Sequence, residues 1–274
     1  MNTAASSVLR ERHGATLVIR LNKPELRNAF DLEMRQGIAE AVFEARDSAD
    51  VRAVVITGSG KAFCAGGDLK SLSSEKRPVF ADRDRIRRLH VWFRELTNLE
   101  KPVIAAVHGP AFGAGFILAL ASDFVLATPA ARFCAVFTRV GLVPDLGAYF
   151  LLPRIVGLQR AKELVFSARE VDAEEACALG IVYEVVPEEQ LLDEALAMAA
   201  RFHGAATQAI GISKNILNRS FNLDQDTLAE LEAAAQAMVM KTDYHQDAVA
   251  RFLNKQPRAF EWPPKRRTPR GAGR

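Results

Sequence analysis

The chain is 274 residues long, 49% hydrophobic and 25% charged, with a formal net charge of +3. That length and composition suit one large globular domain, or a main domain with a helical appendage, able to bury its own core without staples. The near-neutral balance argues against a dedicated nucleic-acid surface, and three cysteines (Cys64, Cys134 and Cys177) without CxxC spacing argue against disulfide and metal frameworks. They read as small apolar filler in a reducing compartment. The stretch MNTAASSVLRERHG lacks the apolar core of a secretion signal, and the longest apolar run, Gly115 to Ala127, is broken by Asp123, so the expectation is a cytoplasmic protein with no membrane span.

In chain order, Val8 to Arg12 and Thr16 to Leu21 flank His13-Gly14 and predict a hairpin. Asp31 opens a helix whose apolar residues Met34, Ile38, Ala41, Val42 and Ala45 keep helical spacing. A strand follows at Ala53 to Thr57, then the loop SGKAFCAGGD and a helix from about Asp82 to Asn98. The arginines of that helix, Arg83, Arg85, Arg87 and Arg88, read as a solvated face. Next come a buried strand, Val103 to Val107, the turn HGPAFGAG, an apolar helix from about Ala114 and a strand at Phe124 to Ala127. Leu158 to Phe166 is helical, and DAEEACALG is a helix capped by Asp172 with Glu175 and closed by Gly180, followed by a strand at Ile181 to Val185. From Glu188 to about Leu253 the pattern is helical throughout. We divide the chain into an α/β core over residues 1–190, a helical region over 191–260 and a basic, disordered tail over 261–274 that includes Lys265-Arg266-Arg267 and Arg270.

Both glycine-rich turns follow a buried strand, where an α/β protein exposes backbone amides. The first offers Gly58, Gly60 and Lys61 without P-loop spacing, and the second puts Leu118 where a dinucleotide fingerprint needs its third glycine, so neither is a phosphate cradle of those kinds. Tight packing alone would account for the glycines of either turn. Taken together, one peptide N–H from each could converge on a single oxygen and stabilise an oxyanion. Asp145, in GLVPDLGAYF, reads either as the N-cap of a helix beginning near Gly147 or as an acid in apolar surroundings.

The stretches NKPELRNAF, SGKAFCAGGDLK, KPVIAAVHGPAFGAGF, SDFVLA and GLVPDLGAYFLLPRIVG stand in the order and spacing of the crotonase (enoyl-CoA hydratase/isomerase) superfamily, which the chain resembles over roughly residues 8 to 260. The resemblance implies a spiral of ββα units, a helical C-terminal region that builds a homotrimer or a dimer of trimers, and an acyl-CoA thioester substrate. Coenzyme A is then part of the substrate, with no separate cofactor and no metal. Carried over by position, the oxyanion donors are the amides of Gly67 and Ala114. Arg27, Ala29, Ala65, Gly66, Asp68, Leu69, Lys70, Ile117 and Phe137 are the further substrate-binding positions, Lys70 and Arg27 as contacts to the coenzyme A end and Asp68 as a cap for the next helix.

Hydratases of the superfamily carry two glutamates where this chain has Ile117 and Phe137, neither of which can move a proton. Asp145 instead matches the aspartate of the superfamily's isomerases, including those acting on dienoyl-CoA and on 1,2-epoxyphenylacetyl-CoA, and the flanking sequence is most like the latter. Desolvation would raise its pKa and make it a better base near neutral pH. His90 matches a histidine of the aryl-CoA dehalogenases, although Phe137 replaces the tryptophan of that branch, and it otherwise reads as a structural residue; His108 reads as structural. The expectation is an isomerase of fatty or aromatic acyl-CoA with Asp145 as base. The alternatives are a hydratase lacking the usual glutamates, dehalogenase-like chemistry, and a non-catalytic module binding acyl-CoA or RNA.

Overall fold

The computed structural model describes residues 6–68 and 78–263; Leu69, Lys70 and the basic stretch Lys265 to Arg270 lie outside the described residues. β1 (Val8–His13) and β2 (Thr16–Leu21) form the expected antiparallel hairpin. β3 (Ala53–Gly58), β4 (Val103–Val107), β6 (Phe124–Ala127) and β9 (Glu184–Val185) then add in parallel, giving a six-stranded sheet of order β1-β2-β3-β4-β6-β9. A three-stranded sheet, β5-β7-β8, stands beside it, built from Pro110–Phe112, Arg132–Cys134 and Val171–Asp172. The central strands read as near-continuous apolar runs because helices cover both faces.

Side chains alternate between those faces with the two-residue period of a strand. Leu17, Ile19, Val54, Ile56, Ala105 and Val107 point into a core shared with Met34 and Ile38 of α1 (Leu32–Asp47), with Trp92, Phe93 and Leu96 of α2 (Val79–Thr97) and with the apolar α3 (Ala114–Leu120). Val18, Val55, Ile104, Ala106 and Leu126 face the other way, onto Leu191, Ala195, Met198 and Ala199 of a helix spanning Leu191–Arg201. That helix is the second layer of the sheet, so the boundary drawn at residue 190 cuts through a packed interface. Trp262, beyond the boundary drawn at residue 260, likewise belongs to the packed body: it stacks on Phe124 at 5.5 Å between ring centroids.

α1 starts as its sequence dictates, with the Asp31 carboxylate accepting the Met34 N–H at 2.8 Å. Three local expectations change. α2 begins at Val79, behind Pro78. Of the strand expected over Ile181 to Val185 only Glu184–Val185 pairs, because the amides of Ile181 and Val182 both return to Ala176 O at the helix exit. The capping box at Asp172 is half realised: Asp172 accepts the Glu175 N–H, but the Glu175 carboxylate is held by Arg169 at 2.6 Å. Gly180, at φ +80°, follows as expected. Among the described residues, no helix is long and apolar enough to cross a membrane.

Candidate active site

The two glycine turns leave β3 and β4, which are paired neighbours, and so emerge side by side at one end of the sheet. A parallel bridge between Cys64 and Ala111 ties them together: Cys64 N–H donates to Pro110 O at 3.0 Å and Phe112 N–H to Cys64 O at 2.9 Å. The approach is close enough to dictate glycine. A Cβ on Gly115 would lie 2.3 Å from Cys64 O, and one on Gly66, whose φ is +97°, would lie 2.8 Å from Phe112 O.

A third piece, the NKPELRNAF loop, braces the first turn. The buried Asn28 amide donates to the carbonyls of Ser59, Ala62 and Phe63 at 2.9, 2.8 and 3.2 Å. Phe30 N–H donates to Gly66 O at 2.7 Å and Ala65 N–H to Arg27 O at 2.9 Å. Arg27 and Asn28 hold left-handed φ values of 51° and 57°, a conformation Asn tolerates better than most residues. Asn28 Oδ1 also accepts the Lys23 N–H at 2.9 Å, closing its own loop, but the three bonds that brace the first turn reach residues more than thirty positions away and leave no local signal in the sequence.

Two backbone donors remain unspent at this junction. Ala114 is the first residue of α3, so its N–H has no partner within the helix. Among the described residues, neither that N–H nor the N–H of Gly67 donates a hydrogen bond. Both residues line a cavity of about 490 Å³, together with Ala65 and Gly113. Its remaining wall comes from Phe30 and Arg35, from Asp82, Arg85, Ile86 and Leu89 of α2, and from the segment of Val136 to Leu146 that follows β7.

Asp145 stands on that wall, half-buried between the buried Pro144 and Leu146. It caps no helix. The helix over Ala148–Val156 is capped by Gly147, without a side-chain bond, and Asp145 supplies only its carbonyl oxygen, to Ala148 N–H at 3.0 Å. Leu146 is held at φ +50°, a strained value for a side chain branched beyond Cβ, so the backbone that presents the acid is fixed by its surroundings rather than by local preference. Burial raises the Asp145 pKa above its ordinary value, and the electrostatic influence of His90, Arg85 and Arg35 opposes that rise.

Phe137 lies on the cavity wall, whereas Ile117 is fully enclosed in the core. Arg27 is exposed, Ala29 is half-buried, and Gly66 supports the turn from behind through its carbonyl. The expectation that Asp68 caps a following helix falls on residues outside those described. His90 is half-buried beside the wall, its ring edge-on to Phe93 at 6.5 Å. His108 donates from Nε2 to Gly60 O at 3.0 Å, with burial lowering its pKa. Arg83, Arg87 and Arg88 are exposed as expected, but Arg85 is not part of that solvated face. The spacing of Asp82, Arg85, Ile86 and Leu89, which puts all four on one side of a helix, was the available signal. Among the described residues, no group of three or more His, Cys, Asp or Glu side chains is placed to hold a metal ion.

The family model described as Enoyl-CoA hydratase/isomerase matches residues 11–263. The chain belongs to the enoyl-CoA hydratase/isomerase family. It is 34% identical over 246 residues to the 1,2-epoxyphenylacetyl-CoA isomerase of Escherichia coli K12, covering 89% of this chain and 94% of that protein. It is 33% identical over 251 residues to the short-chain-enoyl-CoA hydratase of Clostridium acetobutylicum, covering 91% and 95%. Its fold matches the crystal structure of an enoyl-CoA hydratase/isomerase from Cupriavidus metallidurans CH34 with a TM-score of 0.90 at 43% identity, over 96% of this chain and 99% of that one. The α/β spiral with its helical C-terminal region is thus the crotonase fold, and acyl-CoA metabolism is the activity class of this family. Relatives named as isomerases and as hydratases both stand among the similar proteins.

Proposed function

We propose that this family member is an isomerase of acyl-CoA thioesters that uses Asp145 as its single base. The observation that carries the reading is the pairing of a partly desolvated carboxylate, flanked by Val143, Leu146 and Phe137, with two unspent peptide N–H groups in the same cavity. The thioester carbonyl oxygen would accept from Gly67 N–H and Ala114 N–H, which stabilise the negative charge that develops there. Asp145 would take a carbon-bound proton to give an enolate and return it to another carbon, or a ring bond would move in its place. The step as written needs no metal or redox cofactor. Hydration, by contrast, needs groups to activate water and exchange the carbon-bound proton, and Ile117 and Phe137 occupy the glutamate positions inferred from the resemblance. The other carboxylate of the wall, Asp82, faces Arg85 at 3.5 Å.

A panel of enoyl-CoA thioesters with product analysis by mass and NMR tests the proposal. Products of unchanged mass are expected, and Asp145→Asn should lower kcat by about a hundred- to ten-thousand-fold while acyl-CoA binding persists. A mass gain of one water would make the protein a hydratase. An aryl ester formed at Asp145 with a halogenated aryl-CoA would make the acid a nucleophile beside His90. Full activity of Asp145→Asn would remove it from the chemistry.

A further inference from the structure

Arg85 is a cavity residue that the proposed step leaves without a direct part. Its side chain is 20% exposed, and its Nε is buried without a hydrogen-bond acceptor. Asp82 Oδ1 stands 3.5 Å from that nitrogen, beyond the roughly 2.7–2.9 Å of a charge-assisted bond. Arg35, on the same wall, already has its Nε on Asp31 O at 2.9 Å. The Arg85 guanidinium offers N–H donors in a rigid fork, so it puts donor capacity beside Ile86, Leu89, Phe137 and Val143, the apolar part of the wall. An acyl chain made only of CH₂ and CH₃ groups would cover that capacity without satisfying it, which weakens binding. A diphosphate is a poor fit as well, because the carboxylates of Asp82 and Asp145 share the wall. One oxygen atom on the acyl chain meets both conditions.

We infer that Arg85 is a specificity-determining residue that donates to an oxygen carried by the acyl group, so that oxygen-bearing acyl-CoA thioesters are preferred over plain alkyl ones. The inference rests on the reading of the cavity as an acyl-CoA site. A neutral oxygen is the favoured acceptor, because a carboxylate would face Asp82 and Asp145 as a diphosphate would, and matched ligands separate the two.

The test is calorimetric titration of the full chain with butyryl-, valeryl- and hexanoyl-CoA against succinyl-, glutaryl- and adipoyl-CoA and the monomethyl esters of the latter three. At one or more chain lengths the wild type should bind the oxygen-bearing member about ten- to a hundred-fold more tightly, as expected of a hydrogen bond from a charged donor. Arg85→Leu should bring that ratio to about one, and Arg85→Lys should keep part of it, since a donor and the charge remain but the fork is lost. Should the leucine variant misfold, the lysine variant alone still reads out the ratio. Tighter binding of the free acid identifies a carboxylate, and equal binding of acid and ester identifies a neutral acceptor. A ratio near one at every length in the wild type overturns the inference. So does an equal loss for all thioesters and free coenzyme A in both variants, which would assign Arg85 to the nucleotide. Failure of the underlying reading looks different: the wild type would then bind none of the thioesters, the plain ones included, and the inference would fall with it.

Discussion

At the scale of single residues, the pKa of Asp145 couples catalysis to stability in opposite directions. Because burial raises it, the folded state holds the Asp145 proton more tightly than the unfolded chain, whose reference value is 3.8. The acid is therefore least costly when protonated, and its destabilising effect grows as pH rises from about 3.8 through the folded-state value, then levels off. Asparagine does not titrate. Thermal melts of Asp145→Asn and wild type across the acid range should thus show the variant gaining relative stability as pH rises through that window; a difference independent of pH would show that the acid is not desolvated in the folded protein. On the proposed mechanism activity needs the ionised base, so its acid limb should fall above the ordinary carboxylate range. The acid itself was legible in the sequence as a lone carboxylate in an apolar stretch. What the sequence left open, cap or cavity, was decided by the strained Leu146-Gly147 backbone, which hands the cap position to Gly147.

Among elements, the decisive contact is that of the α3 N-terminus with the turn that follows β3. Gly115→Ala would drive its Cβ against Cys64 O, Cβ and C at 2.3, 2.7 and 2.9 Å, and all but one of those atoms are backbone. Either the helix or the turn must shift, at a cost of about 1–3 kcal/mol. The expected outcome is a folded, destabilised protein in urea titration, whose kcat falls further than its affinity for acyl-CoA if, as proposed, the two donors must share one oxygen. An unchanged kcat would show that the two turns do not act together. Most elements could be read from periodicity: the five residues of α1 predicted to face inward, Met34, Ile38, Ala41, Val42 and Ala45, are its buried residues. The misread pieces depend on what lies across from them. Ile181 and Val182 look like a strand because they are apolar and β-branched, yet the preceding helix takes their amides. Arg85 looks like its exposed neighbours until the fold sets a cavity against its side of the helix.

At the scale of the molecule, large apolar residues stay exposed on the C-terminal helices, among them Leu217 at 68%, Met238 at 58% and Phe252 at 82%. A surface of this kind is expected to be covered by further copies of the chain. Light scattering at micromolar concentration should give a trimer or a dimer of trimers, and a monomer would contradict that assembly. Such a partner surface is hard to read from one sequence, since an exposed interface and a buried core share the same residue types. The Cys64–Ala111 bridge has a different kind of consequence. Ala111 belongs to the three-stranded sheet and Cys64 extends the chain from β3 of the six-stranded one, so the bridge is a seam between the two sheets as well as the link between the donor turns. Its amides, on Cys64 and Phe112, exchange with deuterium only when that seam opens, and the same opening separates the N–H pair of Gly67 and Ala114. Their protection therefore times the lifetime of the assembled site, and heat inactivation should follow that clock rather than the fraying of the outer helices.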